Sequence, residues 1–187
     1  MSKRGKLFIL SAPSGTGKDT LKKLLHEKLP FLEKLVSFTT RKPRKDEVPF
    51  KDYYFVSNEA FERMKTQGNF LECSEVHGNM YGTSLIQVTT MLKEGKIILN
   101  DLDVQGTLKI KPFIGEDMVS LFIQPPSLSV LKERLTKRNT DSEKVISQRL
   151  SNAQREMNFA QTYDHIVIND NLDQAVEELV AIINKHT

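Results

Sequence analysis

The sequence predicts an α/β fold, a parallel sheet flanked by helices, and three observations carry that reading. Short apolar runs recur along the chain at Leu7–Leu10, Lys96–Leu102, Met118–Gln124 and His165–Ile168. Segments with the apolar spacing of helices lie between them, the order that gives parallel strands covered on both faces. The first run also leads through the glycine-containing turn Ser11–Gly17 directly into Leu21, Leu24 and Leu25, one face of a helix. The chain has 187 residues, no repeats and no linker long enough to split it, which fits one domain with small inserts.

Taken in order, Pro30 closes the first helix, and Glu33–Phe38 reads as one short strand. Thr39–Glu47 is polar and cationic, hence a loop. Tyr53–Val56 is strand-like, and Ser57 caps a helix carrying Phe61 and Met64 that ends near Gly68. Phe70–Val76 alternates loosely, as a half-buried strand does. His77 and Gly78–Gly82 read as a turn before a helix from about Ser84 to Lys93. Pro125-Pro126 breaks the chain ahead of Leu128, Leu131 and Leu135, which line a helix face. Thr140 with Glu143 forms a capping box for the next helix. Leu172–Asn184 is the last helix. The short strands of about 39–90 suggest an insert with its own small sheet, and a second insert falls at about 134–152.

Composition narrows the function. With 27 basic against 24 acidic residues the net charge is +3, so no strong field argues for nucleic acid or a membrane surface. Cys73 is the only cysteine, which excludes an internal disulfide and suits a reducing compartment. No apolar run approaches a membrane span and Met1–Gly5 lacks an apolar signal core, so the chain reads as cytoplasmic. The four histidines have no metal-ligand spacing.

The stretch Ala12-Pro13-Ser14-Gly15-Thr16-Gly17-Lys18-Asp19-Thr20 sits where a phosphate-binding loop works, between a strand and a helix. The new helix supplies unpaired N–H groups and the positive end of its dipole, and Lys18 adds a point charge. Ala12 stands at the usual first glycine and Asp19 at the usual Mg²⁺-binding hydroxyl. Asp101 and Asp103 end a strand, where ligands of parallel sheets gather, and are expected near the loop, holding Mg²⁺ or orienting substrate. Two solvated loop acids are the plainer reading of that pair. Arg134 and Arg138, four apart on a helix, and Arg149 beyond the turn at Asn139–Asp141 can close on a phosphoryl group; taken alone they read equally as solvated charges. Arg41 and Arg44 flank Pro43 in a stiff cationic loop, to which Tyr53 and Tyr81 add phenolic donors for a second phosphate. Ser37, Glu72 and Thr83 become interpretable only with a partner: a carboxylate and hydroxyls match the donor pair and O6 of guanine, and adenine would leave the carboxylate unpaired.

Together these stretches resemble the guanylate kinase family, over nearly the whole chain. The most specific blocks are Thr39-Thr40-Arg41-x-Pro43-Arg44 and Gly78-Asn79-x-Tyr81-Gly82-Thr83, followed by Asp101-x-Asp103-x-Gln105-Gly106. The resemblance implies a P-loop NTPase fold: a core at about 1–38, 91–133 and 153–187, an NMP-binding insert at about 39–90 and a lid at about 134–152. It implies Mg²⁺-dependent transfer of the ATP γ-phosphate to GMP, with dGMP as a further acceptor. By the same resemblance Lys18 and the loop at 12–20 bind ATP, with Asn169 by the adenine. Arg41, Arg44, Tyr53 and Tyr81 hold the GMP phosphate, and Ser37, Glu72 and Thr83 read guanine. Asp101 and Asp103 act around Mg²⁺ and GMP, Asp19 and Asp101 are the candidate metal ligands, and Arg134, Arg138 and Arg149 clamp the transferring group. The partners implied are the two nucleotides, with no nucleic acid or membrane, and a monomer or weak homo-oligomer. The chain departs from the family's pattern at Asp19, Met80, Lys45, Pro49-Phe50 and Asn139. A different acceptor on the same fold, such as a phosphorylated sugar, and a silent protein-binding module are the competing readings. The latter typically loses the lysine or the arginines that this chain keeps.

Overall fold

The computed structural model describes residues 4–76, 78–137 and 142–187. Five strands, β1 (Lys6–Ser11), β2 (Leu32–Lys34), β7 (Ile97–Asp101), β8 (Met118–Gln124) and β9 (His165–Ile168), form one parallel sheet in the order β2-β7-β1-β8-β9. Alternation along β1 divides the core. Phe8 and Leu10 face helices α1 (Lys18–Lys28) and α7 (Leu172–His186), where Leu21, Leu25, Val176, Leu179 and Ile183 complete one cluster. Leu7 and Ile9 face the other way, onto Val88 and Leu92 of α3 (Leu85–Lys93) and Ile110 of α4 (Val104–Ile114). Burial on both faces explains why these strands read as continuous apolar runs. No described helix is long and apolar enough to cross a membrane.

A second sheet, in the order β4-β3-β6-β5, is built from β3 (Ser37–Thr39), β4 (Tyr53–Phe55), β5 (Phe70–Val76) and β6 (Asn79–Ser84). Helix α2 (Asn58–Thr66) packs on it through Phe61, whose ring stacks on Phe70 at 4.5 Å between centroids. Helices α5 (Leu128–Lys137) and α6 (Glu143–Met157) pair through Leu131, Leu135, Ile146 and Ala153.

Two expectations are corrected and one helix is added. Glu33–Phe38 is two strands: Lys34 ends β2 in the large sheet and Ser37 begins β3 in the small one. Gly78–Gly82 is a turn only at Gly78 (φ 75), because Asn79 onward pairs with β5 as strand β6. Helix α4 was not foreseen; Asp103 caps it by accepting from the Gly106 N–H at 2.6 Å, and Pro112 lies in its final turn. The cap of α6 is Ser142, which accepts from Val145; Thr140, the expected cap, lies outside the described residues, as do His77, Arg138, Asn139 and Asp141. Ser57 caps α2 as expected.

Phe122 of β8 is fully buried against Tyr163, with ring centroids 5.1 Å apart. Phe122→Ala should cost about 3–5 kcal/mol of stability, read as a lower urea midpoint at unchanged slope.

Candidate active site

The site begins where β1 stops. The Ser11 hydroxyl donates to the Leu102 carbonyl at 2.8 Å and shares a 2.9 Å hydrogen bond with Thr107 of α4. The chain then folds over itself: the Thr16 N–H and hydroxyl both donate to the Pro13 carbonyl, at 3.2 and 2.7 Å. Gly15 and Gly17 have φ 94, in the left-handed region. A Cβ at Gly15 would sit 2.7 Å from Leu135 Cδ2, and one at Gly17 2.9 Å from Asn169 Nδ2. No side chain caps α1, so its first N–H groups stay open toward the loop. Buried Asn169, just past β9, donates from Nδ2 to the Thr16 carbonyl at 2.7 Å, while its own N–H donates to Gln124. A cavity of about 380 Å³ opens here, lined by Gly15, Thr16, Gly17, Thr20, Arg134 and Asn169. That volume lies in the range of small-ligand pockets.

Lys18 and Lys22, one turn apart on α1, each donate to a different oxygen of Asp101 at the end of β7. Burial pushes the Asp101 carboxyl up, but the two ammonium groups outweigh it and hold the carboxyl at about 2. Asp101 thus lies beside the loop as expected. Asp103 caps α4, and its Oδ1 lies near Gly106 on the side of Glu72. Asp19 is almost fully exposed, 3.7 Å from the Lys18 ammonium.

Register in the small sheet assembles the second half of the site. Pairing of β5 with β6 sets Glu72 opposite Thr83, and the Thr83 hydroxyl donates to Glu72 Oε1 at 3.0 Å. Burial pushes the Glu72 carboxyl up; the Thr83 hydrogen bond opposes this and the nearby Asp103 charge adds to it. Pairing of β3 with β4 sets Ser37 beside Tyr53, and β3 with β6 sets Thr39 beside Tyr81. Arg41, two residues past β3, is bidentate with Glu47 at 2.7 and 2.9 Å and donates to the Tyr81 hydroxyl at 3.2 Å. Its guanidinium lies 5.5 Å from the Tyr53 ring centroid. Hydrogen bonds from Arg41 and the Arg44 N–H hold the Glu47 carboxyl at about 2, and Glu47 in turn keeps Arg41 firmly protonated. Phe50, in the same loop, has φ 68, an uncommon conformation for a bulky side chain.

Helices α5 and α6 supply two of the three expected arginines. Arg149 of α6 donates to the Ser14 hydroxyl at 2.7 Å, directly over the loop. Arg134 of α5 donates to the carbonyls of Asn169 and Asp170 at 2.9 and 3.3 Å, at the rim of the 380 Å³ cavity. Sequence reasoning missed Glu47, Lys22 and Asn100. The first two carried no signal beyond a charge in a charged stretch, and Asn100 interrupts the apolar run of β7, which was a usable sign.

Comparison with known proteins agrees with this arrangement. The model of the family described as Guanylate kinase matches residues 4–186. The chain belongs to the guanylate kinase family. Among curated relatives, the guanylate kinase of Nitratidesulfovibrio vulgaris is 44% identical over 183 residues, 98% of this chain and 88% of its own length. That of Geobacter metallireducens is also 44% identical over 183 residues, covering 98% of this chain and 90% of the relative. The crystal structure of guanylate kinase from Anaplasma phagocytophilum superposes with a TM-score of 0.76 at 32% identity, over 99% of this chain and 87% of that one. The P-loop sheet order and the second, mixed sheet are accordingly the guanylate kinase fold.

Asn169→Ala removes the buried bond that holds the Thr16 carbonyl. The variant should lose about 1–3 kcal/mol of stability, and amide exchange at Thr16–Lys18 should quicken by more than the global loss explains.

Proposed function

We propose that this chain transfers the γ-phosphate of ATP to GMP, and also to dGMP, giving ADP and GDP or dGDP. The observation that carries the reading is the place of Asp101. Its carboxylate binds Lys18 of the phosphate loop and lines a cavity together with Ser37 and Tyr53 of the small sheet. One side chain therefore touches both the donor's loop and the acceptor's compartment. In-line transfer needs the two phosphate chains end to end.

In this reading the amides of 14–20 and Lys18 hold the ATP phosphates, and the 380 Å³ cavity by Asn169 takes the adenosine end. Ser37, Glu72 and Thr83 read guanine: the carboxylate accepts from N1–H and N2–H₂, and a hydroxyl donates to O6. Arg41, Arg44, Tyr53 and Tyr81 receive the GMP phosphate. An oxygen of that phosphate attacks the γ-phosphorus, the bond to the β-phosphate oxygen breaks, and the electron pair leaves with ADP. Arg149 and Arg134 offset charge on the group in transit, and closure over the loop excludes water. Arg138, between them in sequence, has the same role in this proposal. We divide the chain into a core, an NMP-binding insert at about 39–90 and a lid at about 134–152.

Mg²⁺ fits the donor set. No group of three or more His, Cys, Asp or Glu side chains forms a preformed cage among the described residues. Mg²⁺ bound with a nucleotide keeps waters and phosphate oxygens and asks the protein for only one or two carboxylates. Asp19, exposed beside Lys18, would hold it directly or through water, and Asp101, whose oxygens pair with Lys18 and Lys22, would reach it once Lys18 turns to the nucleotide phosphates. When bound there it would neutralise charge on the β- and γ-phosphates.

A coupled assay with ATP, Mg²⁺ and a panel of monophosphates tests the reading: ADP should form with GMP and dGMP and not with AMP, whereas preference for AMP would overturn it. Glu72→Gln turns an acceptor into a mixed amide facing two donors, and kcat/KM for GMP should fall about 10³-fold with KM for ATP unchanged. Because the Glu72 pKa is raised, protonation on the acid side silences it at a higher pH than an ordinary glutamate. Wild-type kcat/KM for GMP should therefore fall on acidification from above the usual carboxylate range, and this limb should vanish in Glu72→Gln.

A further inference from the structure

We propose that Lys22 is a further phosphate-binding residue of the acceptor site, with Asn100 as its neighbour. The inference rests on the guanylate kinase reading above and adds a contact for the acceptor's phosphate that the motifs did not identify.

The cavity that carries it is small, about 140 Å³, and is bordered by Lys22, Lys34, Ser37, Tyr53, Asn100 and Asp101. It is below the range that takes a whole small ligand, so it suits one charged end of a larger one. Its unused hydrogen-bonding capacity is on the donor side. Asn100 is 6% exposed, and its Nδ2 has no hydrogen-bond partner among the described residues. A buried amide without a partner is costly and calls for an explanation. Lys22 carries three N–H donors, and among the described residues its ammonium meets only Asp101 Oδ1.

The carboxylates at this cavity are already engaged. Asp101 takes both Lys18 and Lys22, and Glu47 takes Arg41 and the Arg44 N–H. Asp52 accepts from the Val48 N–H and faces Lys34 at 3.8 Å. Arg41, the motif residue for the acceptor's phosphate, is bidentate with Glu47, and so part of its donor set is spent. A phosphate monoester brings acceptor oxygens and negative charge to the free donors of Lys22 and Asn100. The same ammonium keeps Asp101 paired when Lys18 turns to the donor's phosphates. Lys22 thus sits between the two phosphate chains that must meet.

The test is calorimetric binding of GMP, without ATP, to the full-length wild type, Lys22→Met, Lys22→Arg and Asn100→Leu, with guanosine as the phosphate-free probe and steady-state KM for ATP measured alongside. Lys22→Met should weaken GMP 10- to 100-fold and guanosine less than twofold, with KM for ATP within twofold of wild type. Lys22→Arg should recover GMP affinity to within about threefold, and Asn100→Leu should weaken GMP by a smaller factor than Lys22→Met. If melting shows that Lys22→Met does not fold, Lys22→Gln carries the same expectation. Unchanged GMP affinity in a folded variant, an equal loss for guanosine, or a rise confined to the KM for ATP would overturn the proposal. Failure of the wild type to bind GMP would instead sink the reading on which it rests.

Discussion

Two ammonium groups converge on one partly buried carboxylate, and the rest of the site is arranged around that contact. Lys18 and Lys22 would repel each other on adjacent turns of α1 without Asp101 between them. Asp101 in turn would not stay ionised at its depth without both cations, since burial alone drives its carboxyl upward. The cluster fixes where β7 ends relative to α1, and hence where the phosphate loop lies relative to the small sheet.

Support for the loop comes from three directions. Asn169 ties its carbonyl to the end of β9, Ser11 ties its start to α4 through Thr107, and Leu135 of α5 fills the space that Gly15 leaves open. Helix α5 therefore packs against the turn, and Arg149 reaches the Ser14 hydroxyl from α6. Parallel-sheet geometry does the remaining alignment. Leu10 is in register with Asp101 and Gln124 with Ile168, so the functional ends of β1, β7, β8 and β9 open onto one edge.

Much of this was legible because local chemistry and global placement agreed. Ser11–Thr20 announces itself by glycines between a buried strand and a helix face, and Glu72 lies in a strand whose alternation can be read. What the sequence hid depended on tertiary partners. Glu33–Phe38 is apolar enough to read as one strand, and periodicity says nothing about which sheet a strand joins. Gly78–Gly82 looked like a turn because Gly78-Asn79 and Gly82 are turn residues, yet pairing of Asn79 onward with β5 overrides that preference. Helix α4 was masked by Gly106 and Pro112. Glu47 is one acid in a cationic loop, and Lys22 one lysine among several on α1; only the fold brings Lys22 to Asp101, 79 residues away.

The central claim is that Asp101 couples the donor's phosphate loop to the acceptor's compartment and serves the transfer step more than the binding of either substrate. The direct measurement is kcat for Asp101→Asn beside the separate dissociation constants of ATP and GMP. The account predicts that each nucleotide still binds within about tenfold of wild type while kcat falls about 10²–10³-fold. A folded Asp101→Asn enzyme turning over at the wild-type rate would contradict it.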